Sequence, residues 1–159
     1  MQRFTIGDAA ELAGDVGPDP RLIGVLAELD APIDLDRLRT RVAERIGEQP
    51  ILSRRFVRQG KAAWSASWEQ VGIDVVDHVF AVGADDPVAA AVEIMVAGLP
   101  ETIPMWRLLV LRSPGATHLL FVAHHVLLDG ATAVAVVGSL LGAGVPAERP
   151  ARSVTGRRS

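Results

Sequence analysis

Two adjacent apolar runs, residues 105–112 and 117–124, place the strongest constraint on how this chain can fold. Ser113-Pro114-Gly115-Ala116 joins them and has the composition of a tight turn, so the runs are predicted to form a β-hairpin. The second run ends in His124-His125, and Asp129-Gly130 follows after three apolar residues. An uncharged stretch of mostly Ala, Val and Leu continues to about residue 141, which predicts a helix starting at the Asp-Gly pair. A polar motif therefore stands at the junction of a buried strand and a helix.

Two further helices are predicted from apolar spacing and capping residues. The first spans residues 34–47, where four apolar residues recur at helical spacing: Leu35, Leu38, Val42 and Ile46. The second begins at Asp85-Asp86-Pro87, which supplies a capping carboxylate and a proline suited to the first helical position. Four residues are predicted to form one apolar face of this second helix: Val88, Val92, Met95 and Leu99.

Strands are predicted at residues 4–6, 21–30, 51–57, 62–67 and 75–82, with a short helix at 8–13. Strands and helices are mixed along the chain, and no glycine-rich phosphate loop accompanies them. This pattern predicts an α+β or mixed-sheet α/β fold in which helices pack on a mixed sheet. At 159 residues, one domain is the simplest organisation.

Charge and composition exclude several classes of function. Residues 1–147 carry a net charge of −6, which argues against nucleic acid as a partner, because phosphate binding needs a clustered positive face. The chain has no cysteine, so disulfides and thiolate metal sites are excluded, and a cytoplasmic location is expected. The uncharged run 130–147 contains four glycines, a serine and a proline, so a buried helix followed by a glycine-rich loop is predicted in preference to a membrane span.

The histidine motif is the strongest candidate for chemistry. Histidine exchanges a proton near neutral pH, and successive residues of a strand point to opposite faces. We therefore expect one of His124 and His125 to face a cleft while the other packs or holds the backbone. Asp129 is predicted to cap the following helix, and Gly130 to permit a tight turn.

Two other interpretations of the motif remain open at this stage. The histidines could be buried hydrogen-bonding residues, with Asp129 acting only as a helix cap. A metal site is disfavoured, because adjacent positions splay the imidazoles apart and no third histidine or cysteine lies at a ligand spacing. His78 and His118 are each expected to be surface residues or to have their hydrogen bonds satisfied.

The motif and its surroundings resemble the bacterial wax ester synthase/diacylglycerol acyltransferase family, a branch of the chloramphenicol-acetyltransferase-like superfamily that also includes peptide-synthetase condensation domains. The resemblance covers most of residues 4–142. The matching segments are Pro50-Ile51-Leu52-Ser53-Arg54-Arg55-Phe56, Asp77-His78-Val79, Pro104-Met105-Trp106 and His124-His125-Val126-Leu127-Leu128-Asp129-Gly130. The resemblance implies a chloramphenicol-acetyltransferase-like half domain over residues 1–145, with 146–159 as a disordered tail or truncated linker.

The resemblance also implies a reaction and a role for each motif residue. His125 would act as general base in transferring a fatty acyl group from acyl-CoA to a long-chain alcohol or diacylglycerol. His124 would shape the pocket, Asp129 would be a positioning residue paired with an arginine, and Gly130 would permit the turn. Acyl-CoA is then a substrate, and no cofactor or metal is expected.

Family members contain two similar halves with the active site between them, and this chain corresponds to the first half. The resemblance therefore implies a homo-oligomer, or a separate chain that supplies the C-terminal half, with peripheral contact at membranes or lipid bodies an option. Two alternatives stay open: a non-catalytic half domain that binds lipid or a partner acyltransferase, and a condensation-type domain that uses carrier-protein thioesters.

Overall fold

The structure, a computed structural model, describes the backbone of Gln2–Arg3 together with residues 21–60 and 66–142. Its larger sheet has four strands, in the order β2 (Leu22–Leu29), β7 (Ala116–His124), β6 (Trp106–Ser113) and β5 (Val79–Gly83). The β5–β6 pair is parallel, whereas β6–β7 and β2–β7 are antiparallel. The predicted mixed sheet and the predicted hairpin are therefore confirmed.

The smaller sheet has three strands, β1 (Gln2–Arg3), β4 (Ala66–Gln70) and β3 (Arg54–Arg58), with β4 in the middle. Phe56 and Trp68 lie opposite each other on β3 and β4, and their rings meet edge to face with centroids 6.4 Å apart. Both side chains are buried in the main core. The smaller sheet is thus joined to the larger one through shared apolar packing.

Helices cover both faces of the larger sheet. On one face lie α1 (Leu35–Arg45), the single turn α2 (Val75–His78) and α4 (Gly130–Leu141); on the other lies α3 (Pro87–Ala97). The strand alternation accounts for the two layers: Leu108 and Val110 of β6 belong to the first core, and Leu109 and Leu111 belong to the second.

Arginines of α1 bind the C-terminal end of α4. Arg41 Nη1 donates to the carbonyl oxygen of Leu141 at 2.6 Å, and Arg45 Nη1 donates to that of Ser139 at 3.2 Å. Carbonyls in the last turn of a helix have no partner within the helix, and that end carries partial negative charge. The positive side chains of α1 therefore stabilise the end of α4 and fix how the two helices pack.

The strand predictions for 51–57 and 75–82 are partly wrong. Residues Pro50–Ser53 form a 3-10 helix, with Pro50 in its first turn, so β3 begins only at Arg54. Asp74 accepts a hydrogen bond from the amide of Val76, which starts the helical turn α2, and β5 begins at Val79. In both places a local turn residue overrides the apolar pattern.

Of the remaining strand and helix predictions, some are confirmed and others fall outside the described residues. The strand at 21–30 and the helices at 34–47 and after Pro87 are confirmed, with Asp34 and Asp86 as their N-caps. Of the strand predicted at 62–67, residues 62–65 lie outside the described residues, and the last two belong to β4, Ala66–Gln70. The strand at 4–6, the helix at 8–13 and the tail 146–159 fall outside the described residues. Within the described ranges, no helix has the length and apolar character of a bilayer-spanning segment.

The apolar face predicted for α3 is buried only in part: Met95 and Leu99 pack on the sheet, and its first two residues do not. Val88 and Val92 are 61% and 56% exposed, whereas Ala91, Ile94 and Met95 pack on the sheet. Almost every position of this helix is apolar, so periodicity alone could not select the inward face.

A histidine–tryptophan pair lies at the centre of the main core. His78 is 1% exposed, its ring stacks on the indole of Trp106 with centroids 4.3 Å apart, and its Nδ1 lies 2.8 Å from the Trp106 carbonyl oxygen. Because a carbonyl can only accept, Nδ1 carries the proton and donates it. Trp106 Nε1 in turn donates to the carbonyl of Leu52. The expectation of a satisfied histidine is therefore confirmed for His78, and the polar atoms of the histidine–tryptophan pair join three segments of the chain.

Burial lowers the pKa of His78, although the bond to the Trp106 carbonyl and the charge of Asp77 partly oppose this shift. Protonation is then harder in the folded than in the unfolded chain, so the stabilisation is complete above the ordinary value of 6.5 and declines as pH falls below it. We predict that the free energy of unfolding decreases from pH 7.5 to 5, with His78 contributing at most about 1.4 kcal/mol per pH unit.

Urea denaturation at several pH values measures this dependence. His78→Asn should lower stability overall but flatten the decline, whereas His125→Asn, at an exposed position, should keep the decline. Equal slopes for wild type and His78→Asn would contradict the assignment.

Candidate active site

The two adjacent histidines occupy opposite environments at the end of β7. His124 is 3% exposed, and His125 is exposed to solvent. Within β7, Leu120 and Val122 face α3, so strand alternation directs His124 to that side as well. The expectation that one ring packs is met by His124, whereas the cleft expected at the other ring stays a prediction, because His125 lines neither of the two cavities described below.

The His124 side chain ends the strand and builds a turn. Its Nδ1 accepts a hydrogen bond from the amide of Val126 at 3.0 Å, and its carbonyl oxygen accepts from the amide of Leu127 at 2.9 Å. Since Nδ1 is an acceptor here, a neutral His124 carries its proton on Nε2. A buried imidazole thus fixes the path of the next three residues.

The backbone of His125 is held from the other side by β2. Its amide donates to the carbonyl oxygen of Arg21 at 2.9 Å, while the amide of His124 donates to that of Met105 at 3.0 Å. After the turn, Val126, Leu127 and Leu128 are all buried. His125 is therefore the one accessible side chain in the segment 124–128, and the backbone at 124–125 is bound to the residues that immediately precede β2 and β6.

Asp129 is the N-cap of α4. Its Oδ1 accepts from the amide of Thr132 at 2.7 Å, and this bond is the main cause of the lowered pKa of the carboxyl group. The nearby charge of His125 makes a smaller contribution in the same direction to the pKa of Asp129. The predicted cap is therefore found. Within the described ranges no arginine takes part in this cap, so the arginine partner implied by the family resemblance remains a prediction.

Gly130 is not needed for a tight turn. It is the first residue of α4, its φ lies outside the left-handed region, and a Cβ placed on it would meet nothing within 4 Å. The expectation that glycine permits the turn is therefore wrong. Neither the backbone nor the surrounding space at position 130 requires a glycine.

Two cavities lie away from His125. The larger, about 700 Å³, is bounded by α1, the loop before it, Leu119 and Leu141. Leu119 precedes His124 by five strand residues, or about 17 Å. The smaller, about 270 Å³, lies between β3 and the loop that holds Glu101 and Thr102. The His125 ring lines neither of them.

Sequence reasoning missed Arg21 and Met105, whose carbonyl oxygens hold the two histidine amides. A backbone acceptor leaves no signal in residue type, and only the register of β2 and β6 against β7 could have indicated it. Among the described residues, no group of three or more His, Cys, Asp and Glu side chains could hold a metal ion.

No family model matches the chain, and no curated protein matches it. Several solved structures, however, match the chain. The chain is similar to the starter condensation domain of the rhizomide synthetase RzmA, at 16% identity and a TM-score of 0.66, over 87% of this chain and 36% of that one. A variant of that domain in complex with C8-CoA matches at 17% identity and a TM-score of 0.67, over 87% and 34%. The tallysomycin biosynthesis protein TlmII matches at 25% identity and a TM-score of 0.63, over 88% and 36%.

These likenesses show the fold. The chain has a condensation-type, chloramphenicol-acetyltransferase-like half-domain fold, as the sequence predicted. It spans about a third of the length of the structures it matches, at 34–36%. These matches do not show the narrower assignment to the wax ester synthase branch.

The geometry of His124 gives a testable prediction. Asn can place an oxygen close to where Nδ1 lies, whereas the oxygen of Gln lies closer to the position of Nε2. We expect His124→Asn to keep the bond to the Val126 amide and His124→Gln to lose it. Native-state hydrogen exchange should show Val126 exchanging roughly five- to tenfold faster in His124→Gln than in His124→Asn, as expected for one lost hydrogen bond. Equal protection in the two variants would contradict the role assigned to Nδ1.

Proposed function

We propose that this chain carries the general base of an acyl-CoA-dependent O-acyltransferase, with a long-chain alcohol or diacylglycerol as acceptor. The observation that supports it most directly is the single accessible imidazole of His125, held at the end of a central strand and followed by a capped helix. The likeness to a condensation domain solved with C8-CoA supports acyl-CoA as the donor.

In the proposed reaction, His125 accepts the proton of the acceptor hydroxyl as its oxygen attacks the thioester carbonyl. The tetrahedral intermediate collapses, the carbon–sulfur bond breaks, and the imidazolium returns the proton to the CoA sulfur. Histidine suits both steps because it accepts and releases protons near neutral pH. No covalent acyl-enzyme is needed, in keeping with a chain that has no cysteine.

The other motif residues have positioning roles in this proposal. His124 and the Arg21 carbonyl orient the His125 backbone, and Asp129 anchors the start of α4. Gly130, the first residue of α4, faces open space.

The exposure of His125 means that further polypeptide must complete the site. A base open to bulk water would direct water as well as alcohol to the thioester, so an acyltransferase needs a site that excludes solvent. The outer face of α4 beside the motif carries no charged residue, and Val134 on it is 60% exposed. We propose that a second copy of this chain or a C-terminal-half chain covers this face, with membrane or lipid-body contact following from the lipid acceptor.

A carrier-protein thioester is the second candidate donor, because the matched starter domain belongs to the rhizomide synthetase. In that case the reaction at His125 is unchanged and only the thiol leaving group differs. The two candidate donors are distinguished by comparing the rates of ester formation with an acyl-CoA and with the same acyl group on a pantetheinylated carrier protein.

Activity with labelled palmitoyl-CoA and hexadecanol or dioleoylglycerol tests the proposal. We expect His125→Ala to lower the rate of ester formation by about 10²- to 10⁴-fold, the usual contribution of a general base. His118→Ala, on the same strand but remote from the motif, should retain the wild-type rate. Wild-type protein that forms no ester above His125→Ala with either donor, at any protein concentration, would leave a non-catalytic binding domain as the remaining interpretation.

A further inference from the structure

Three successive main-chain carbonyl groups lie at the entry to β6, and each accepts from a different donor. The Pro104 carbonyl accepts from the amide of Trp106 at 2.8 Å, which closes a tight turn centred on Met105. The Met105 carbonyl accepts from the amide of His124 at 3.0 Å. The Trp106 carbonyl accepts from Nδ1 of His78 at 2.8 Å. The position of the His124 amide therefore depends on how this turn is held.

The His78 ring takes the place of a main-chain donor. In the parallel pair β5–β6, every second carbonyl of β6 accepts from an amide of the β5 segment, up to the bond from the Ala84 amide to the Arg112 carbonyl. Counting back from Arg112 in steps of two, the Trp106 carbonyl would accept from the amide of His78. His78 belongs instead to the helical turn α2, and its side chain reaches the same carbonyl. Without the ring, the carbonyl of a fully buried residue would lose the donor that the structure shows for it.

The Trp106 side chain is held as well as its carbonyl. The indole stacks on His78 with ring centroids 4.3 Å apart and on Phe121 of β7 with centroids 6.1 Å apart. Its Nε1 donates to the carbonyl of Leu52 at 2.8 Å. Phe121 precedes His124 by three residues on the same strand. These contacts together fix the start of β6 against the strand that carries the histidine motif.

His78 itself has no access to a substrate. Its side chain is 1% exposed, and the single proton of its neutral ring is donated to the Trp106 carbonyl. Any effect of His78 on His125 must therefore pass through the turn at 104–106 and the backbone of His124.

We propose that His78 is a positioning residue for the candidate active site. By holding the Trp106 carbonyl, it fixes the Met105 carbonyl, which in turn holds the amide of His124 and the presentation of His125. The effect on catalysis rests on the proposed function, whereas the effect on the His124 amide does not.

Two substitutions separate the hydrogen bond from packing. His78→Asn keeps an N–H donor close to the position of Nδ1 but loses the ring, whereas His78→Leu fills the space with apolar atoms and has no donor. In native-state hydrogen exchange, the Leu120 amide in the middle of β7 reports overall unfolding. We expect the His124 amide to exchange at least about fivefold faster in His78→Leu than in His78→Asn, whichever variant is more stable, and by more than any difference at Leu120.

Two further variants complete the exchange experiment. His78→Phe keeps a ring beside Trp106 without a donor, so it should behave like His78→Leu, and it replaces that variant if His78→Leu does not fold. Leu111→Ala removes buried atoms from the other core and is the control for general destabilisation. In this control, the exchange of the His124 amide should change no more than that of the Leu120 amide.

The rate of ester formation gives a second readout. Because His78 cannot touch a substrate, we expect His78→Leu to lower kcat by about ten- to a hundredfold with KM unchanged, and His78→Asn to recover most of that loss. Equal exchange of the His124 amide in His78→Leu and His78→Asn, or an Asn variant with kcat as low as the Leu variant, would overturn the proposal. Wild-type protein that forms no ester would contradict the proposed function, and the exchange rates would still decide the role of His78.

Discussion

The hydrogen bond from the Val126 amide to His124 Nδ1 is the constraint on which the candidate site depends. β7 pairs with β2 on one side and β6 on the other, and a continued strand would alternate its side chains between two packed faces. The buried imidazole instead captures the amide two residues on and ends the strand. His125 is left accessible while 126–128 return to the core. The site is a consequence of how this strand terminates.

Most of the fold could be anticipated because local signals and global packing agree. The turn at 113–116 and the carboxylate caps Asp34, Asp86 and Asp129 each act within a few residues, and the structure confirms them. The environments of the two histidines also followed from the two-residue period of a strand. The predictions that failed concern features that depend on a single residue contact. The helical turn at 75–78 depends on a single capping aspartate, and the inward face of α3 depends on the close approach to Gly24.

The candidate site was harder to predict than the elements that carry it. Residue types indicated His125 as a base and Asp129 as a cap, but the acceptors that hold the histidine backbone are main-chain carbonyls of Arg21 and Met105. Such contacts depend on strand register, which the sequence specifies only through long-range packing. Gly130 shows the converse error, since a familiar role for glycine was expected where the backbone has no need of it.

The tautomer of His124 tests the central claim most directly. Long-range ¹⁵N–¹H correlation spectra of histidine-labelled protein distinguish a protonated from an unprotonated nitrogen in each imidazole ring. At neutral pH, the geometry predicts that His124 has an unprotonated Nδ1 and a proton on Nε2, because Nδ1 accepts from a backbone amide. A His124 ring that carries its proton on Nδ1 would mean that this hydrogen bond does not form, and the explanation of how His125 is presented would fail.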